Sequence, residues 1–237
     1  LRDYGIAGQI GRETSVEEYL QKLVRVFREV RRVLREDGTL WVNMGDSYAT
    51  RSGKQPPTNT RNSYGHTEKR TPQGYKYKDL IGVPWQLAFA LREDGWYFRQ
   101  DIVWYKTNAM PESVKDRCTK SHEYIFLLSK SERYYFNAAA IREPVTSIKG
   151  NARTFRGGGA YVGGQCYSNS ACVERKSHGN CENQAGYRNK RDVWPVSTTG
   201  FRGAHFAVFP EKLIEPCVVA GCPESGIVLD PFMGSGT

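Results

Sequence analysis

A short apolar run that empties into glycine is the strongest constraint on this chain. Ile227, Val228 and Leu229 end in Asp230-Pro231, and Phe232-Met233-Gly234-Ser235-Gly236-Thr237 follows. Consecutive aliphatic residues without polar alternation read as a buried strand of a parallel sheet. A glycine-rich turn at the carboxyl end of such a strand presents backbone N–H groups to a ligand. The predicted fold is therefore α/β, with this turn as a ligand loop. A phosphate loop is excluded, because no Lys follows the glycines of MGSGT.

The rest of the chain supplies the elements of such a fold. Ser15 and Glu18 have the spacing of a capping box. Tyr19, Leu20, Leu23, Phe27, Val30 and Leu34 then recur at helical spacing. Arg25, Arg28, Arg31, Arg32 and Arg35 cover the remaining surface and read as a solvated face, and Asp37-Gly38 stops the helix. Residues 39–44 (TLWVNM) read as a buried strand. The polar cluster after it, Gly45-Asp46-Ser47-Tyr48, is either a functional strand end or an Asx turn that ends the strand. A helix is expected over 79–92, with Pro84 near its first turn, then strands over 96–105 and 122–130. Residues 134–137 are expected to pair with the last of these as a hairpin. A short strand over 193–197 precedes a helix opened by Phe209-Pro210-Glu211, whose apolar side includes Leu213 and Cys217 and which Pro216 would disturb.

Two stretches fit none of these elements. Residues 50–78 are polar, basic and rich in breakers, with Arg51, Lys54, Arg61, Lys69 and Arg70 among tyrosines. Residues 145–191 are glycine-rich and basic, with Arg153, Arg156, Arg188 and Lys190, and read as an insertion outside the core. The net charge of +9 favours a polyanionic partner. Rings that can stack on bases make up 12% of the chain. Cys166, Cys172, Cys181 and His178 lack the paired C-x-x-C knuckle of most structural zinc sites, so no metal is assigned. The six cysteines lack disulfide-framework density and point to a reducing, cytoplasmic setting. No apolar run is long enough for a membrane span. The start LRDYG carries no signal-peptide pattern and reads as cut from a longer chain.

In order, these pieces form a series: LRDYG (1–5), GTLWVNMGDSYA (38–49), DIVWYKTNAMPES (101–113), KSHEYIFLLSKS (120–131), NKRDVWPV (189–196), GAHFAVFPEKLIEPC (203–217) and DPFMGSGT (230–237). The series resembles the β-class DNA amino-methyltransferases, closest to the phage-like and restriction-type members, over nearly the whole chain. The resemblance implies a permuted Rossmann-like methyltransferase sheet with helices on both faces, truncated at both ends and carrying an irregular inserted region. It divides the chain into a catalytic half (1–144), a target-recognition insertion (145–191) and the start of the cofactor half (192–237). It implies S-adenosylmethionine as cofactor, double-stranded DNA as partner, and methylation of the exocyclic amino group of cytosine (N4) or adenine (N6). Asp230, Pro231, Phe232, Gly234, Ser235 and Gly236 match the cofactor turn. His205, Phe209 and Lys212 match a second motif lining the same pocket, altered here after His205 and after Lys212. Asn43, Asp46 and Ser47 are expected to support the catalytic site. The catalytic tetrapeptide, Ser/Asp-Pro-Pro-Tyr/Phe, is expected immediately upstream of Leu1, so this stretch alone is expected to be inactive. The host implied is a bacterium, or a phage within one. The competing readings are a non-enzymatic basic nucleic-acid-binding module, zinc-dependent through Cys166–Cys181, and a methyltransferase of the same fold acting on RNA.

Overall fold

The computed structural model describes residues 8–50, 71–144, 187–199 and 209–234. The chain divides into two units, Leu1–Asn137 with Arg191–Thr237, and Ala138–Lys190. The elements are α1 (Val16–Val33), β1 (Thr39–Met44), α2 (Val83–Glu93), β2 (Tyr97–Tyr105), β3 (His122–Ser129), β4 (Glu143–Pro144), β5 (Tyr187–Arg188), β6 (Val193–Pro195) and α3 (Glu211–Gly221). The antiparallel pair β4 and β5 belongs to the second unit.

In α1 the extended N-cap Ser15 accepts a hydrogen bond from the Glu18 N–H at 3.1 Å. The Glu18 carboxylate reaches one residue further back than a capping box requires, to Thr14 N at 3.3 Å and Thr14 Oγ1 at 3.1 Å. Val16, Leu20, Leu23, Phe27 and Val30 form its buried face. On the solvated face Arg28 pairs with Asp94, and Arg32 with Glu29 at 2.7 Å.

The sheet runs in the order β1-β3-β2-β6. β3 is antiparallel to both neighbours, and β6 is parallel to β2. The sheet is therefore mixed, with antiparallel ladders predominating. Because successive strand residues point to opposite faces, β3 feeds two cores. Phe126 and Leu128 join α1, α2 and the β1 residues Leu40 and Val42 on one face. Ile125 joins Ile102, Trp104, Trp194 and the α3 residues Leu213 and Cys217 on the other. Helices thus cover both faces, and every residue from Ile125 to Ser129 is buried. Each large aliphatic or Phe buried in this way contributes about 1.5–3 kcal/mol.

Three expectations from the sequence are corrected. Residues 134–137 form no hairpin with β3, because both edges of β3 are already occupied by β1 and β2. Their backbone bonds elsewhere, Tyr135 N to Asp37 O at 2.8 Å and Asn137 N to Ala220 O at 2.9 Å. The helix expected from 79 begins at Val83. Pro84 has no N–H to continue a helical ladder backwards, and Gly82 takes a left-handed conformation at φ 75°. Ile227, Val228 and Leu229 are 96, 59 and 57% exposed and form no strand. Apolar character alone does not make a strand; a ladder partner is needed, and none stands beside them among the described residues.

Candidate active site

The sheet's connectivity gathers polar residues at one edge. β1 and β2 both run antiparallel to β3, and β6 runs with β2, so the carboxyl ends of β1, β2 and β6 emerge on the same side. The segments leaving them are tied together. Trp104 Nε1 donates to Val196 O at 2.8 Å. Thr107 Oγ1 and Ser197 Oγ lie 2.6 Å apart. Asn108 grips Thr198 three times, donating through Nδ2 to the carbonyl at 2.9 Å and accepting at Oδ1 from the amide at 2.7 Å and the hydroxyl at 3.1 Å. The Arg117 guanidinium lies 4.0 Å from the centre of the Tyr48 ring and pairs with Glu112.

Asn43, near the end of β1, turns into this edge. Its Nδ2 donates to Tyr124 O at 3.0 Å and to Glu123 Oε2 at 3.3 Å. The other Glu123 oxygen pairs with Lys106, whose Nζ sits 4.6 Å from the centre of the Trp104 ring. Gly45 makes room for this: a Cβ there would come within 3.1 Å of Glu123 Oε1. Glu123 and Lys106 are each about one-quarter exposed or less, at 23 and 22%, so their pairing is only partly screened by water. Burial holds the Lys120 amine below its ordinary range, opposed by the carboxylates of Asp46, Glu123 and Glu112 and reinforced by Lys106. Neither Glu123 nor Lys120 is singled out by sequence reasoning. The only signal is an acidic residue at the mouth of an otherwise apolar strand, three positions after a lysine.

Asp46 takes a structural position. Its carboxylate accepts from Ser47 N at 2.8 Å, Gly82 N at 3.0 Å and Val83 N at 3.2 Å, and so closes the N-terminus of α2. Ser47 is exposed, and its carbonyl accepts from Ile81 N at 3.0 Å.

The described part of the glycine turn has local order. Asp230 Oδ1 accepts from Phe232 N at 2.8 Å across Pro231, an Asx turn. Gly234 takes φ 60°, a conformation that favours glycine. Phe232 is 52% exposed, and its ring meets the edge of Phe27 at 6.1 Å between centroids. Phe209 packs against the cluster that holds Trp104 and Leu213, and Lys212 is exposed on the first turn of α3. His205, Ser235 and Gly236 lie outside the described residues.

Of the expected DNA contacts, Arg51, Lys54, Arg61, Lys69, Arg70, Arg153 and Arg156 also lie outside the described residues. Arg188 and Lys190, in the second unit, pair with the two oxygens of Glu143 at 3.5 and 3.7 Å. Cys166, Cys172, His178 and Cys181 are outside as well. Among the described residues no three His, Cys, Asp or Glu side chains could hold a metal ion. No helix among them is long and apolar enough to cross a membrane.

Residues 3–237 match the family model for DNA methylases, N6_N4_Mtase. The type II methyltransferase M.Cfr9I of Citrobacter freundii is 47% identical over 100% of this chain and 67% of its own length. M.SmaI of Serratia marcescens, also a type II methyltransferase, is 45% identical over 100% of this chain and 70% of its own length. Among solved structures, the cytosine-N4-specific PvuII DNA methyltransferase superimposes with a TM-score of 0.58 at 14% identity, covering 98% of this chain and 64% of that one. The chain thus spans about two-thirds of the length of the proteins it matches.

Proposed function

Because this chain belongs to the N6/N4 DNA methylase family, we propose that it forms the greater part of a site-specific enzyme that methylates the exocyclic amino group of cytosine (N4) or adenine (N6) in duplex DNA. The methyl group comes from S-adenosylmethionine. The observation that carries the reading is the edge where β1, β2 and β6 end together, with its polar side chains already locked to one another.

The residues at the Asp230 turn fit such a cofactor. Asp230 is held by the Phe232 N–H, Phe232 offers an exposed ring face, and Gly234 lets the backbone come close without a Cβ. Phe232 and Gly234 would hold the cofactor, together with Asp230, Pro231, Ser235, Gly236, His205 and Lys212. Phe209 would act from beneath, by packing. When bound, S-adenosylmethionine supplies an electrophilic sulfonium methyl.

An exocyclic amino nitrogen is a weak nucleophile, because its lone pair is delocalised into the ring. The protein's part is therefore to extrude the base and hold it in line with the methyl group. The Asn43–Glu123–Lys106–Trp104 network forms a stiff wall for that pocket, since each polar member is already bonded to another. Asp46 and Ser47 hold the loop beside it. The basic segments 50–78 and 145–191 contact the DNA, through Arg51, Lys54, Arg61, Lys69, Arg70, Arg153 and Arg156. Arg188 and Lys190 would have to exchange Glu143 for phosphate. The place of action is the cytoplasm of a bacterium, with a restriction–modification role.

Incubation of the full-length protein with labelled S-adenosylmethionine and duplex DNA, single-stranded DNA or RNA tests the proposal. Label is expected in duplex DNA, and digestion to nucleosides shows whether N4-methylcytosine or N6-methyladenine forms. Gly234→Asp is expected to abolish transfer, because an anionic side chain would be forced into a left-handed backbone position at the cofactor turn. Label in RNA alone, or in no nucleic acid, overturns the reading.

A further inference from the structure

We infer that Met110 is the wedge that enters the DNA stack when the target base leaves it. The inference rests on the methyltransferase reading above. A base extruded from a duplex leaves an unstacked gap, and proteins that unstack DNA fill or force such gaps with apolar side chains, Met among them. A side chain that does this must be apolar, exposed before DNA arrives, carried on a braced loop, and placed at the edge where the base is received.

Met110 meets each condition. It is 85% exposed, more than any other large hydrophobic among the described residues except Ile227. It lies in the segment 106–121, which joins the end of β2 to the start of β3 at the same edge as the Asn43–Glu123–Lys106 network. The segment is fastened on both sides of Met110. Before it, Thr107 and Asn108 are bonded to Ser197 and Thr198. After it, Glu112 and Arg117 are paired, with Arg117 over the Tyr48 ring and Asp116 paired with Lys78. Pro111 follows directly and restricts the backbone at Met110 to extended conformations. The segment also carries Lys115, an exposed cation that suits an approach to phosphates. An exposed apolar residue on a loose loop would fold back on the protein; here the anchors on each side hold it out.

The test compares full-length wild type with Met110→Ala and Met110→Leu on two duplexes of one sequence, one fully paired and one with the target base mispaired. A mispaired base is already partly unstacked, so a wedge matters less there. Met110→Ala is expected to lower kcat/KM on the paired duplex by about tenfold or more, and to approach wild type on the mispaired one. Met110→Leu, which keeps an apolar side chain of similar size, is expected to keep most of the activity on both. Substitution of so exposed a side chain should leave the melting temperature unchanged. Equal kcat/KM of wild type and Met110→Ala on the paired duplex overturns the inference. So does an equal loss on both duplexes, which would make Met110 an ordinary DNA contact. Absence of transfer by wild type itself overturns the methyltransferase reading, and this inference with it.

Discussion

Removing the Asp46 carboxylate separates a structural role from a role in the active site. Its oxygens serve three backbone donors: Ser47 N at 2.8 Å, Gly82 N at 3.0 and 3.1 Å, and Val83 N at 3.2 Å. In Asp46→Ala the two donors that open α2 lose their acceptor. Loss of a side-chain cap costs about 0.5–2 kcal/mol, and loss of a negative charge at the positive end of a helix adds about 0.3–1 kcal/mol. The site is partly buried, which favours the middle of both ranges, so Asp46→Ala should destabilise the protein by roughly 2 kcal/mol. For a domain of this size that lowers Tm by about 4–8 °C. Asp46→Asn keeps one acceptor oxygen and loses the charge, so its drop should be about half as large. Thermal melts followed by circular dichroism measure both. Methyl transfer assayed well below both midpoints should stay near wild type, because the folded population is then complete. Unchanged Tm with lost transfer would refute the capping account and make Asp46 a residue of the reaction itself.

Two further outcomes follow from the packing and the ion pairs. Gly221→Ala places a Cβ within 2.6 Å of both Thr39 Oγ1 and Trp41 Nε1, so α3 must shift away from β1, at a cost of about 1–3 kcal/mol in urea unfolding. The Lys78 ammonium holds the Asp116 carboxyl below its ordinary value of 3.8. A carboxyl with a depressed folded value contributes its stability above the unfolded value and loses it as pH falls through the folded one. Lys78→Met should therefore bring Asp116 back towards 3.8 in an NMR titration and weaken the acid dependence of stability below that pH.

The elements with strong periodicity were legible in the sequence. Leu20, Leu23, Phe27 and Val30 recur at helical spacing, and the same residues are buried in α1. The apolar run of β3 reads as a strand, and burial on both faces explains why it shows no polar alternation. What stayed illegible depends on distant partners. Asp46 lies 36 positions from the helix it caps, whereas caps are recognised within a few residues of the helix they open. Glu123 is 80 positions from Asn43, so nothing local marks it as the centre of a network. Residues 134–137 have strand-forming composition, yet composition does not reveal that both edges of β3 are taken. The turn at Asp230–Gly234 was legible as a turn, because Asx chemistry and a glycine at positive φ are local properties.

The central place of β3 also sets an order of events during synthesis. β1 is complete at Met44, but its hydrogen-bonding partner extends to Ser129. At about 5–20 residues per second, the ribosome needs roughly 4–17 s to cover that interval. Until then β1 lacks the strand to which it is bonded in the finished sheet. α1 is made first, and Leu20, Leu23 and Phe27 share a cluster with Leu40 and Val42 of β1, so the helix can cover that strand while it waits. When β3 emerges, it pairs with β1 and β2 in one step that joins residues distant in sequence, the kind of contact that slows folding. The strand that gives the finished sheet its two cores is thus also the one whose late arrival leaves the nascent chain open to misassembly.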